Sequence, residues 1–159
     1  MRSSAPVKTV LSDPVHFLAF GFGTGLAPVA PGTVGTLVGV VLDWLLRYWG
    51  FAPRLAIVVL MFLAGVWLCG ESAKRLAVHD HPGIVWDEIV GYLAAMLVAP
   101  GGWQWALAGF VLFRVFDILK PWPIRDVDHR LSGGLGIMLD DVLAAAYAAM
   151  VLSVARALT

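Results

Sequence analysis

Apolar residues fall in long blocks broken at a few polar or glycine-proline-rich points, and the breaks delimit a series of hydrophobic helices. A short polar arm, residues 1 to 11, leads to Ser12 or Asp13 as a cap and Pro14 at the first position of a helix. That helix carries His16, Phe17, Leu18 and Phe20 along a membrane surface. Residues 21 to 36, GFGTGLAPVAPGTVGT, read as a loop because Pro28 and Pro31 oppose a regular helix. Thr33 then predicts the N-cap of a helix over about 34 to 49. Residues 55 to 70 carry no charge; with flanks from Pro53 to Glu71 they are long enough to cross hydrocarbon. Residues 92 to 113 are also uncharged, but Pro100-Gly101-Gly102 divides them into helices of about 86 to 99 and 103 to 119. Behind a glycine-rich turn at Gly133, Gly134 and Gly136, a last helix runs from about 139 to 157. The expected fold is all-α: an integral membrane bundle of about five hydrophobic helices in one domain, residues 1 to 159.

Composition strengthens the membrane reading. The apolar fraction is 60% and the charged fraction 14%, with mean hydropathy +0.83, well outside the range of ordinary soluble domains. Zero net charge argues against nucleic acid as a partner. The single cysteine, Cys69, excludes an internal disulfide, and no removable signal peptide is evident at the N-terminus. With the helices alternating sides and the N-terminus cytoplasmic, Arg2, Lys8, Lys74, Arg75, Arg114, Lys120, Arg125 and Arg130 fall inside. Only Arg47, Arg54 and Arg156 fall outside, in keeping with the positive-inside bias. Every acid except Asp43 also falls on the inner side. The topology rule does not require that, so the cytoplasmic face is where chemistry is expected.

Residues 114 to 141, RVFDILKPWPIRDVDHRLSGGLGIMLDD, concentrate ionisable groups in an otherwise oily chain, and charge beside hydrocarbon is costly enough to need a reason. Arg114, Asp117 and Lys120 follow one another at three-residue spacing, which suits an ion pair along a helix. Arg114, Lys120, Arg125 and Arg130 need not all have internal partners, and basic groups beside a Pro-Trp-Pro turn suit a lipid phosphate. Asp87 and Glu88 open the helix that begins at Trp86, while Glu88, Gly91 and Ala95 share a face open to close helix approach. Asp140 and Asp141 complete a set of five carboxylates at helix ends. Carboxylates sharing a small space raise one another's pKa unless a cation neutralises them, and oxygen-only ligands suit magnesium. Glu88, Asp117, Asp140 and Asp141 are the expected metal ligands. His79 and His81 would suggest zinc, but no third nitrogen or sulfur ligand accompanies them; His81 stays open as a proton-transfer group. A glycine-rich loop before a helix N-terminus can hold a phosphate, which brings in Thr33.

The strings GFGTGLAPVAPGTVGT, VHDHPGIVWDEIVGY and FRVFDILKPWPIRDVDHRLSGGLGIMLDD resemble the phosphatidylglycerophosphatase A family over residues 13 to about 150. The resemblance implies an all-helical, magnesium-dependent inner-membrane phosphatase that converts phosphatidylglycerophosphate to phosphatidylglycerol and inorganic phosphate. It maps the family pattern onto Thr33, Asp87, Glu88, Arg114, Asp117, Lys120, Arg125, Asp128, Asp140 and Asp141. Thr24, Thr36 and His129 stand where serine, serine and arginine are common. On this reading Arg114, Lys120, Arg125 and Thr33 take the phosphate, while Asp87, Glu88, Asp117, Asp141 and His81 carry the chemistry. Water is the expected nucleophile, ahead of an aspartate. The histidine signature of common lipid phosphate phosphatases and the spaced aspartates of CDP-alcohol phosphotransferases are both missing. A small transporter or channel subunit, with acids spread through the membrane depth, and an anionic-lipid scaffold are the rivals.

Overall fold

The computed structural model describes residues 7–78, 81–126 and 131–159, and among them regular structure is helical throughout. Asp13 caps the second of two short helices near the N-terminus. Its carboxylate accepts from the Val15 and His16 N–H groups, with Pro14 at the first helical position, the arrangement that satisfies orphan donors at a helix start. The two helices are α1 (Val7–Ser12) and α2 (Pro14–Ala19). Asp13 also meets Arg75 at 2.7 Å, and buried His16 Nδ1 lies 2.8 Å from Ser72 Oγ, so this N-terminal foot is tied to the end of α4 (Phe51–Arg75). Partial desolvation works against it, but the Val15 N–H and Arg75 hold the Asp13 carboxyl below its ordinary value.

α3 (Pro31–Leu46) begins earlier than the expected position 34. Proline at the first helical position costs no hydrogen bond and its fixed φ suits the helix, so Pro31 starts α3 where it was expected to block one. Thr33 therefore lies inside the first turn, and the N-cap is Ala30, whose side chain makes no capping bond. α4 is longer than its uncharged centre because Glu71 and Arg75 pair one turn apart, at 2.8 Å, on its final turns. α5 (Trp86–Ala95) stops four residues before the expected end, and α6 (Trp103–Leu119) has the expected bounds.

α7 (Gly133–Ala157) overturns the expected glycine turn. A Cβ on Gly134 would stand 1.8 Å from the Val66 carbonyl oxygen of α4. Gly134 thus belongs to a helix whose backbone presses against its neighbour, the usual service of small residues between apolar helices. Asp140 and Asp141 consequently sit about 12 Å along α7, at 1.5 Å per residue.

α7 packs against α4, α5 and α6, and α5 packs against α3. The ends gather in two groups. At one, Arg54 bonds both Asp43 and the Met96 carbonyl, and Arg156 reaches the Val98 carbonyl. At the other lie the N-terminal ends of α3 and α5, the C-terminal end of α6 and the first half of α7. α4 and α7, each 25 residues, are long and apolar enough to cross a membrane. α5, with ten residues, spans about 15 Å and cannot cross alone. Trp67, Leu63, Leu107 and Val111 are among the large apolar side chains left exposed on α4 and α6.

Candidate active site

Three carboxylates from two helices meet inside the second group of ends. Asp87 and Glu88, in the first turn of α5, and Asp141, on α7, each offer an oxygen within 4.8 Å of the others. Gly91 makes this approach possible: a Cβ there would lie 2.7 Å from the Phe113 ring and 3.2 Å from Asp141 Cβ. The shared face of Glu88 and Gly91 expected from sequence is where α6 and α7 close on α5.

Polar accounting separates these acids from the rest. Asp87 Oδ1, Glu88 Oε2 and Asp141 Oδ2 are buried with no hydrogen-bond partner, and such oxygens ordinarily find a donor or a cation. Burial first, then the Glu88 and Asp141 carboxylates, pushes Asp87 well above the usual carboxylate range. Burial also raises Glu88 to about 7, against the opposing pull of its hydrogen bond with Asp87 and of Arg114. A dication among these oxygens would remove that cost. An oxygen-only, multiply anionic donor set is the chemistry that hard cations require, so the residues fit a metal.

The other expected ligands stand one step back. Asp117 meets Arg114 Nη1 at 2.5 Å, and the same Nη1 lies 3.6 Å from Glu88 Oε1. Asp140 Oδ2 meets Lys120 Nζ at 2.5 Å, while its Oδ1 accepts the Asp141 N–H. Lys120 caps α6 in a left-handed conformation, φ 44°, just before a Pro-Trp-Pro turn with a cis Trp122–Pro123 bond. The structure brings Asp87 into the carboxylate triad, a placement that spacing along one helix could not give.

α3 brings the glycine loop to the same place. A Cβ on Gly32 would lie 2.0 Å from Glu88 Oε1 and 3.1 Å from Arg114 Nη1. Gly32 therefore abuts Glu88 and Arg114, with Thr33 the next residue of the same turn, and the N-cap of α3 supplies no side-chain acceptor. Gly32 is the neighbour that sequence reasoning did not single out, although the glycine-rich loop was its signal. Buried His81 accepts the Gly83 N–H on Nδ1 at 3.0 Å and packs its ring on Phe20 at 5.4 Å, which shapes the turn into α5. Arg125 is exposed. Asp128, Arg130, His129 and His79 lie outside the described residues.

The chain is similar to known proteins over nearly its whole length. Residues 17–156 match the family model for phosphatidylglycerophosphatase A. The chain is 49% identical over 154 residues to phosphatidylglycerophosphatase A of Haemophilus influenzae, covering 95% of this chain and 94% of that protein. It is 44% identical over 152 residues to phosphatidylglycerophosphatase A of Escherichia coli, covering 95% and 88% respectively. No solved structure matches. By both measures the chain belongs to the phosphatidylglycerophosphatase A family.

Proposed function

We propose that this chain is a lipid phosphatase, a phosphoric monoester hydrolase that converts phosphatidylglycerophosphate to phosphatidylglycerol and inorganic phosphate. Its place is the bacterial inner membrane, with the carboxylate-bearing end toward the cytoplasm. The observation that carries the chemistry is the buried triad of Asp87, Glu88 and Asp141 with three unpartnered oxygens, set beside Arg114 and the start of α3. These three residues would hold magnesium, which supplies charge neutralisation at the phosphoryl oxygens and makes water more acidic.

The chain's own groups do the positioning. Asp117 holds one edge of the Arg114 guanidinium, which aims its remaining donors at a phosphate rather than leaving them to rotate. Pro31 has no N–H and the Thr33 and Val34 N–H groups donate to the Ala30 carbonyl, so the neutral donor that α3 adds, where the helix field favours an anion, is the Gly32 N–H. Lys120, held by Asp140 at the end of α6, and exposed Arg125 place further positive charge near the headgroup. Water attacks phosphorus, the bond from phosphorus to the glycerol oxygen breaks, and the proton lost by water balances the one gained by that oxygen. The acids of this end converge on one locus, whereas a transporter would spread them through the membrane depth.

Protein purified in detergent is given phosphatidylglycerophosphate with and without magnesium, and released phosphate is measured. Magnesium-dependent release that is lost in Asp141→Asn and Glu88→Gln is the expected result. Chelation followed by magnesium addition should also raise the melting temperature of the wild type but not of Asp141→Asn, because binding to the folded state alone stabilises it. Equal release with and without magnesium, or full activity in both variants, would overturn the assignment.

A further inference from the structure

Phe22 stands out in the glycine-rich loop that packs against the start of α5. It is a bulky residue at φ 61°, in the left-handed region, and its side chain is 47% exposed. Non-glycine residues avoid that backbone conformation, and one that holds it has surroundings that impose it. The surroundings are visible. Gly21 and Gly23, on either side, also have positive φ. A Cβ on Gly21 would lie 2.7 Å from Val85 and 3.1 Å from Ile89, so the loop backbone is pressed against the start of α5. The Phe22 N–H is fixed on the Phe17 carbonyl at 2.9 Å.

The strained backbone delivers the ring to a specific place. Phe22 packs 6.2 Å from the Trp86 ring and 6.0 Å from the Phe17 ring. Trp86 is itself buried, donates to the Met61 carbonyl on α4, and immediately precedes Asp87. Aromatic contact therefore runs from Trp86, the residue before Asp87, out to an exposed ring on the α2 side. Leu11, 56% exposed, extends it beyond Gly23, where a Cβ would sit 3.6 Å from the leucine. A free-standing interfacial anchor would need neither the strained backbone nor contact with the residue next to a site carboxylate.

We propose that Phe22 is a specificity-determining residue: its exposed face, continuous with Trp86, receives the apolar diacylglycerol part of the substrate while the phosphate reaches the triad. This rests on the Asp87–Glu88–Asp141 site being where phosphate is released. Phe22 takes no part in bond breaking, so its removal should change recognition of the lipid tail and leave the chemical step intact.

The test compares Phe22→Gly and Phe22→Ala with the wild type on long-chain phosphatidylglycerophosphate in mixed micelles and on its dihexanoyl analogue. Glycine is the sharper variant because it relieves the positive-φ strain and should melt no lower than Phe22→Ala. The expected result is a rise of about tenfold in KM for the long-chain lipid, with kcat and the dihexanoyl KM within about twofold of wild type. Equal losses on both substrates, or an unchanged long-chain KM in a folded glycine variant, would overturn the proposal. Asp141→Asn is run alongside: if it retains turnover, the site assignment fails, and the Phe22 comparison is read from the wild-type ratio alone.

Discussion

Substituting Gly32 by alanine tests how closely the site is built. Gly32 lies in the first turn of α3, where alanine adopts the backbone without strain. In a helix interior the exchange favours folding by up to about 1 kcal/mol, so Gly32→Ala should not destabilise the chain through its own backbone. The added methyl, however, would stand 2.0 Å from Glu88 Oε1, where ordinary contact begins at 3.4 Å. One group must therefore give by about 1.4 Å, the difference of those two distances. The Glu88 carboxylate is the more movable partner, but moving it drags the Arg114 contact and alters the triad. A displacement of about 1 Å at a reacting centre costs about a hundredfold in rate, equivalent to about 2.7 kcal/mol of barrier. The assay is magnesium-dependent phosphate release under saturating substrate, with a melting curve on the same preparation. The expectation is a hundredfold fall in kcat at a melting temperature equal to or above that of wild type. Activity within twofold of wild type would refute the reasoning, because it would mean that Glu88 can be displaced without consequence.

Arg114→Lys keeps the charge but gives up the planar guanidinium whose Nη1 lies against both Glu88 and Asp117. A fall of about 10- to 100-fold in kcat/KM, about 1.4–2.7 kcal/mol, is expected, and wild-type kinetics would remove Arg114 from phosphate recognition. At the opposite end, Asp43→Asn removes a buried charge facing Arg47 at 3.1 Å and Arg54 at 2.7 Å. Breaking such a pair costs about 3–5 kcal/mol, so the melting temperature should drop while kcat per folded molecule stays within about twofold. Lost activity at an unchanged melting temperature would contradict the separation of the two ends.

The helices were legible where chemistry at both borders agreed with the apolar run. Pro100-Gly101-Gly102 before α6 and Lys120-Pro121 after it left little freedom, and α6 lies where the pattern put it. Legibility failed where one residue type has two uses. Pro31 breaks a helix interior but starts α3, and the glycines near 134 make turns in water but allow α7 to press on the Val66 carbonyl. The site followed the same division. That acids and cations would gather on one side could be read from their uneven distribution along the chain. Which acid met which cation could not, because Lys120 and Asp140 are 20 residues apart and Asp87 and Asp141 meet only through α5 against α7.

The resulting distribution of charge has a physical logic. Asp117 pairs with Arg114 along α6 and Asp140 ties α7 to Lys120 at the end of α6, so the two acids set the positions of the basic groups. Asp87, Glu88 and Asp141 retain buried oxygens without partners. Had Arg114 neutralised all three, no negative potential would remain to attract a dication; had Asp117 been absent, Arg114 would be freer to collapse onto Glu88. Asp117→Asn should then act in two ways at once: weaker magnesium dependence of the melting temperature, as Arg114 moves onto the triad, and a higher KM, as its donors leave the phosphate. Magnesium titration followed by melting, together with steady-state kinetics, separates this from simple loss of a ligand. A lost ligand would weaken magnesium binding without changing KM at saturating metal, whereas a released Arg114 changes both.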